Sequence, residues 1–279
     1  MLQVARLAPQ QLGESRDLVA AFLRSCLNPD GGFRDRTGTS DLYYTVFGIE
    51  GLTALQEPIP SDRIAPFLRG FGDGQDLDFV HLCCLARCWA GISRDLTGVP
   101  VSEILVRIAA CRNAGGGFDN AYKAFLALGA YQDLRTPFPE PDTLLRSLRD
   151  LRARDGGYAN RPGDAFGITT VTAAAAMLFK TLEAPIDPHL SVWLLDRCHS
   201  SGGFLATPMT PVPDLLSTAT GLHALAAMQA PVHGLREACL DFVDSLWTNR
   251  GGFYGSWLDD TLDCEYTYYG LLALGHLSV

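Results

Sequence analysis

Hydrophobic residues return at helical spacing along most of this chain, in runs broken by glycine. Six runs, Asp17 to Leu27, Asp62 to Arg69, Ser102 to Arg112, Asp142 to Arg152, Pro188 to Cys198 and Leu235 to Trp247, keep apolar residues three or four positions apart with charged residues between them. That spacing gives an amphipathic helix with one face to bury. Behind the runs stand turns of glycine and an aromatic residue: Gly31-Gly32-Phe33, Gly116-Gly117-Phe118, Gly156-Gly157-Tyr158, Gly202-Gly203-Phe204 and Gly251-Gly252-Phe253. Phe71-Gly72-Asp73-Gly74 falls where a degenerate copy belongs, and with it the intervals are 41, 44, 40, 46 and 49 residues. Periods of that length mark stacked supersecondary repeats.

After each turn comes a polar stretch and then a more uniformly apolar helical run headed by Asp. Three of these read alike: Asp41-Leu-Tyr-Tyr-Thr45, Asp214-Leu-Leu-Ser-Thr218 and Asp263-Cys-Glu-Tyr-Thr267, each with Gly three residues after the Thr, at Gly48, Gly221 and Gly270. Asp76 or Asp78, Asp119 and Asp164 head the other three. A carboxylate in front of an apolar run accepts free backbone N–H groups and is favoured by the helix dipole, so these are N-cap positions first. The unit is helix, glycine turn, helix. No segment alternates strictly enough for a half-buried strand, so the chain reads as all-α. Neither end offers a polar capping face, since Tyr266, Tyr268, Tyr269, Leu271 and Leu272 stay apolar almost to the end. A repeat array without caps closes on itself. The expectation is one domain, residues 1–279, forming an α/α toroid of six helix pairs whose inner helices all start at one mouth. Gly48 and Gly221 are read as inner-face positions.

Composition narrows the function. Of 279 residues, 47% are hydrophobic and 19% charged, which excludes a disordered chain. The net charge of -9, without any Lys/Arg-rich run, excludes nucleic acid as a partner. Met1 to Leu12 is interrupted by Arg6 and Gln10, and the longest apolar segment, Val171 to Phe179, is about half a membrane span. No transmembrane segment is expected, and the location expected is cytoplasmic. The eight cysteines have no C-x-x-C spacing and read as reduced thiols.

These repeats resemble the prenyltransferase β-subunit and squalene cyclase repeat family, whose fold is a six-pair α/α toroid. The most specific stretch runs from Gly31 to Leu52, Gly-Gly-Phe-Arg-Asp-Arg-Thr-Gly-Thr-Ser-Asp-Leu-Tyr-Tyr-Thr-Val-Phe-Gly-Ile-Glu-Gly-Leu, and is similar to the late repeat of protein prenyltransferases that ends D-x-x-H-T-x-x-x-I-x-G-L. In that family a D-x-C-Y stretch and the His of D-x-x-H hold a catalytic zinc. By motif Asp263 matches the Asp and Tyr266 the Tyr, while Glu265 occupies the cysteine position, Cys264 stands one place early, and Tyr44 replaces the His. Zinc is therefore the cofactor the resemblance implies, with its ligands not retained; Asp263, Cys264 and His81 are the remaining candidate ligands. His81 lies in Asp78-Phe-Val-His81-Leu-Cys83, similar to the family's D-F-x-H-x-C, and by residue type reads as a buried cluster with Cys83 or Cys84.

The family's diphosphate clamp is also altered. Its Arg and Lys before D-x-C-Y are replaced by Ser256 and Asp259, leaving Arg34, Arg36 and Arg161 in other loops as a displaced clamp. The cyclase branch of the resemblance begins by protonating an alkene or epoxide from an acid at the head of an inner helix. Asp78 and Glu265 stand at such places, and carboxylate crowding among Asp259, Asp260, Asp263 and Glu265 is expected to raise a pKa. Tyr43, Tyr44, Phe47, Phe125, Phe166, Tyr266 and Tyr269 fall near the expected inner face, where aromatic walls suit an isoprenoid chain and a carbocation. The reading is an isoprenoid-handling enzyme of prenyltransferase type, with Asp263, Glu265, Tyr44, Tyr266 and Asp78 as catalytic candidates and Tyr43, Phe47 and Tyr269 as binding ones. A class II terpene cyclase and a non-catalytic binding toroid are the alternatives. The ligand class is an isoprenoid or hydrocarbon, and the resemblance adds a helical α-subunit as a possible protein partner.

Overall fold

The computed structural model describes residues 1–278. Two short helices, α1 (Leu2–Ala5) and α2 (Pro9–Leu12), precede an alternation of outer and inner helices. Outer α3 (Arg16–Ser25) packs on inner α4 (Leu42–Ala54), α5 (Ser61–Arg69) on α6 (Phe79–Ile92), and α7 (Val101–Ala110) on α8 (Ala121–Asp133). In the same way α9 (Pro141–Arg149) packs on α10 (Thr169–Thr181), α11 (His189–Leu195) on α12 (Leu215–Ala227), and α13 (Arg236–Leu246) on α14 (Cys264–His276). Each inner helix packs on the next and α14 packs on α4, which closes the ring. The N-terminal α1 lies across α14 and α4, at the end of the barrel opposite the mouth. A two-residue hairpin, β1 (Phe33–Arg34) with β2 (Ser40–Asp41), corrects the strand-free reading; two residues are too few to show alternation. Among the described residues no helix is long and apolar enough to cross a membrane.

Four inner helices start at a capping Asp. Asp41, Asp78, Asp214 and Asp263 accept the backbone N–H of Tyr44, His81, Ser217 and Tyr266 at 3.1, 2.9, 2.7 and 2.8 Å. The other two differ from expectation. Asn120, not Asp119, caps α8, accepting from Lys123 N–H at 2.9 Å, and Asp119 pairs with the Lys123 side chain instead. Helix α10 starts after Ile168, an apolar residue that offers no side-chain cap, while Ala206 of the neighbouring loop accepts the Thr169 N–H at 2.8 Å; Asp164 stays in the preceding loop.

In four units a Thr, and in three of them also a Gly, locks the turn to its inner helix. Thr45, Thr172, Thr218 and Thr267 accept the backbone N–H of Phe33, Tyr158, Phe204 and Phe253 at 3.0, 2.8, 2.9 and 3.5 Å. Phe33, Phe204 and Phe253 are then held over Gly48, Gly221 and Gly270, three positions after the Thr. A Cβ at Gly48 would come within 2.2 Å of the Phe33 ring, so only glycine admits the ring at its present depth. Gly48 and Gly221 therefore face the outer layer and not the lumen, which corrects their sequence-based placement. The glycine pair serves the contact between units. Gly31, at φ +96°, lies so close to α5 that a Cβ would meet the Arg63 carbonyl at 1.9 Å. Gly251 meets Leu18 of α3 in the same way, at 2.3 Å, so the last unit docks on the first.

Replacing Thr45 by Val keeps shape and removes the acceptor from the buried Phe33 N–H. Urea denaturation of Thr45→Val is expected to show a loss of about 1–3 kcal/mol, and Thr218→Val a similar one at Phe204.

Candidate functional site at the mouth and lumen

At the seam between first and last units, Arg36 reaches from the β1–β2 hairpin to α14. Its Nε donates to Asp263 Oδ2 at 2.7 Å, and its two terminal nitrogens donate to Asp259 at 2.8 and 3.3 Å, with the guanidinium over the Tyr266 ring at 5.3 Å. Asp263 is buried, and its other oxygen caps α14. Burial pushes its pKa up, against the cap and Arg36, which pull it down. For Asp259 burial also opposes ionisation, but the Arg36 and backbone hydrogen bonds together win and hold its pKa low. Arg36 is thus committed to two carboxylates. Tyr44 stands half-buried beside them, its phenol pushed up to about 12 by burial and by Asp263 and Glu265.

Glu265 is partnered by Tyr43, whose hydroxyl donates to Oε1 at 2.5 Å. Sequence matching singled out Tyr44 for this corner; the helical position one residue earlier makes the contact. Burial raises the Glu265 pKa to about 7, with Asp263 adding to the rise and Tyr43 and Arg36 opposing it. The raised acid expected from the sequence is present, but desolvation is a larger cause than repulsion between carboxylates.

Inside the ring lies a cavity of about 230 Å³. Helical register arranges its wall in layers, because the second, sixth and ninth residues of each inner helix share one face. Tyr43, Tyr122, Thr170 and Leu216 are second residues and line the cavity near the mouth. Glu265 is the second residue of α14, one turn above the lining residue Tyr269. Phe47, Leu126, Ala174 and Thr220 form the middle layer, and Glu50, Arg87, Met177 and His223, all ninth residues, the deep one. Along the seam the aromatic rings touch in series, Tyr43 to Phe47 at 4.9 Å and Phe47 to Tyr269 at 5.4 Å between centroids. Phe125 lines the cavity, whereas Phe166, expected to do so, is half exposed on a loop.

The remaining candidates lie elsewhere. Asp78 is largely exposed; burial opposes its ionisation, but the His81 hydrogen bonds outweigh that and hold its pKa low, so it is an ionised cap. His81 is no cysteine cluster. It bridges the caps of two helices, Nε2 to Asp41 at 3.0 Å and Nδ1 to Asp78 at 2.9 Å. Burial lowers its pKa, and the two carboxylates more than reverse this. Arg34 sits on β1 near Cys26 and Cys264, and Arg161 is exposed on the loop before α10, so the three arginines do not converge. Cys264 is fully buried beside Cys26, and both Asp263 oxygens are engaged, so the zinc donor set carried over from the resemblance does not fit this corner. Among the described residues no three His, Cys, Asp or Glu side chains converge as a metal-ligand set. Sequence reasoning missed Glu50 and Arg87. The signal was available: Glu50 is the one acidic or basic residue of α4, and Arg87 the one Lys, Arg, Asp or Glu of α6.

Known proteins share this architecture. A family model described as the prenyltransferase alpha-alpha toroid domain matches residues 10–82 and 171–237. No match is found among curated proteins. Protein geranylgeranyltransferase-I of Candida albicans, complexed with GGPP, is similar in structure with a TM-score of 0.70 at 14% identity, covering 94% of this chain and 90% of that one. The type II terpene cyclase MstE from Scytonema is similar with a TM-score of 0.66 at 14% identity, covering 96% and 97%. A variant of that cyclase in complex with merosterolic acid A gives 0.68 at 12% identity, covering 97% of each chain.

The Glu265 proton sets a pH dependence. An unfolded glutamate ionises near 4.5 and the folded one near 7, so this contribution to stability is complete below about pH 4.5 and lost as pH rises through 7. Glu265→Gln stays neutral and can still accept from Tyr43. Its unfolding free energy is expected to match the wild type at low pH and to exceed it by about 1–2 kcal/mol above neutrality, measured by denaturant titration across that range.

Proposed function

We propose a function from one premise: the chain belongs to the prenyltransferase alpha-alpha toroid domain family. It is an isoprenoid-handling enzyme that starts its chemistry by proton transfer from Glu265 to a chain held in the lumen. The observation that carries this reading is the place of Glu265, a buried carboxyl group hydrogen-bonded by Tyr43 and standing one helical turn above the aromatic wall of the cavity, where burial raises its pKa to about 7. A general acid works best when its pKa lies near the working pH, and about half of Glu265 is then protonated.

The step balances. The Glu265 proton forms a C–H bond with one alkene carbon, or goes to an epoxide oxygen as its C–O bond opens, and a carbocation is left in the substrate. The carboxylate so formed keeps the hydrogen bond from Tyr43 and regains a proton when the cation loses one to become product. The rings of Tyr43, Phe47 and Tyr269 line the path, and a cation meeting their faces would be attracted. Asp263, Tyr44 and Tyr266 hold the seam around Arg36, so in this reading they position Glu265 rather than react.

Transfer from a prenyl diphosphate, the activity suggested by the family's transferase branch, finds less support. A departing diphosphate needs free cationic charge, and Arg36 is already neutralised by Asp259 and Asp263. The type II cyclase likeness supports the fold of this reading, and that protein's substrate complex holds geranylgeranyl dihydroxybenzoate.

Incubation with farnesyl- and squalene-type hydrocarbons and their terminal epoxides in D2O, followed by mass spectrometry, tests the proposal. The expected product carries one deuterium bound to carbon from an alkene, or an exchangeable one from an epoxide. Glu265→Gln is expected to slow turnover roughly 100-fold or more while ligand-induced stabilisation is kept. Tight calorimetric binding of a prenyl diphosphate that depends on Arg34, Arg36 or Arg161 would restore the transferase reading. Absence of stabilisation by every isoprenoid tried would favour a non-catalytic toroid.

A further inference from the structure

Two thiols meet outside the lumen, where the fifth unit (α11 with α12) docks on the sixth (α13 with α14). The turn after α11 is closed by the His199 N–H to the Gly203 carbonyl at 2.9 Å and the Gly202 N–H to the His199 carbonyl at 3.0 Å. It presses on α13 so closely that a Cβ at Gly202 would meet the Ala238 carbonyl oxygen at 1.8 Å and the Cys239 nitrogen at 3.1 Å. That contact sets the Cys239 sulfur where both the Gly203 N–H and the Cys198 thiol hydrogen-bond to it. Cys239 is buried and Cys198 half-buried, so solvent reaches the pair from the Cys198 side. Other junctions fill the same places without sulfur. Leu27 and Trp247 make the backbone bridge to their turn aromatic that Cys198 makes to Phe204. Where Gly202 meets Ala238 and Cys239, Gly31 meets Arg63 and Ile64, and Gly251 meets Leu18, beside Val19; Ile64 and Val19 are buried as Cys239 is. The scaffold asks for an apolar residue at these places, and a free cysteine adds reactivity to that packing role.

We propose that Cys198 and Cys239 are a reversible redox pair, which hydrogen peroxide converts into a disulfide joining the fifth and sixth units. The hydrogen bond from Cys198 favours the Cys239 thiolate, burial opposes it, and the Gly203 N–H adds to the favourable side, so Cys239 ionises first. Peroxide is little larger than water and enters past the half-exposed Cys198. The Cys239 thiolate attacks one peroxide oxygen, the O–O bond breaks, and the departing hydroxide takes up the proton that Cys239 released. The Cys198 sulfur then attacks the Cys239 sulfenic sulfur, an S–S bond forms, and the sulfenic oxygen leaves as water with the Cys198 proton. The two thiols have lost two protons and two electrons, and peroxide has become two waters. A dithiol reductant returns the pair to thiols by exchange. Cys26 and Cys264 also hydrogen-bond to each other, across the seam of the ring, but both are buried, so peroxide is expected to reach them later.

Timed treatment with hydrogen peroxide, followed by alkylation of free thiols, digestion and mass spectrometry, tests the pair. The expected product is a peptide pair linked through Cys198 and Cys239, formed before any link between Cys26 and Cys264 and returned to two thiols by dithiothreitol. Linking places about forty residues apart restrains the unfolded chain, so the Tm of the oxidised protein is expected to rise by roughly 5 °C or more. Cys239→Val and Cys198→Leu carry residues found at these places in other junctions. Each is expected to unfold within about 3 °C of the reduced wild type and to lack the early peroxide-dependent rise. Recovery of Cys198 and Cys239 as free thiols while other cysteines oxidise overturns the proposal. Oxidation of either to a sulfinic acid without a link overturns it too, as does a link from either to a different cysteine or to a second molecule.

Discussion

A ring of helix pairs has no free end, so its last unit must dock on its first as each unit docks on the next. Here the same device does both. In three turns the first glycine lies against the backbone of the following outer helix, Gly31 on α5, Gly202 on α13 and, at the closure, Gly251 on α3. Once that contact closes the circle, α14 and α4 become neighbours although their sequences are far apart. The Arg36 bridge to Asp259 and Asp263, the Tyr43 bond to Glu265 and the aromatic series from Tyr43 to Tyr269 all span this one seam. The chemistry at the mouth is a product of closure.

Closure also explains the charge state of that corner. Two aspartates share one arginine, so the corner has no free cationic charge to offer a passing anion. Glu265 lies just outside this set, paired with a neutral phenol, and burial rather than charge crowding decides its proton affinity. Neighbouring carboxylates thus end in different states: Asp259 is held ionised by a cation, and Glu265 stands near the middle of its titration at neutral pH.

Much of this was legible in the sequence, and the parts that were not have physical reasons. Repeat length, glycine turns and Asp-headed runs specified the toroid, because each is a local requirement of the backbone. Asp41, Asp78, Asp214 and Asp263 are caps as their positions predict, while the cap places of α8 and α10 fall to Asn120 and to Ile168, whose apolar side chain cannot cap. Motif matching picked Tyr44 because it aligned with a family histidine, but the side chain one position earlier faces the lumen. A family pattern carries no information about which rotation of the helix a substituted residue will use. The partly buried triad of Glu50, Arg87 and Asp133 was overlooked since its members come from three units, and nothing local in any one helix announces the other two.

The threonines and glycines that lock the turns, where present, sit on the outward face of the inner helices, and the residues at second, sixth and ninth positions sit on the inward face. Scaffold and wall are therefore written on opposite sides of the same helices. An exchange at Phe47 or Met177 leaves untouched the bonds that set the circumference, and an exchange at Thr45 leaves untouched the surface a ligand meets. A barrel organised in this way can change its contents without changing its diameter, so lineages that share its hoop can diverge freely in the molecules they enclose.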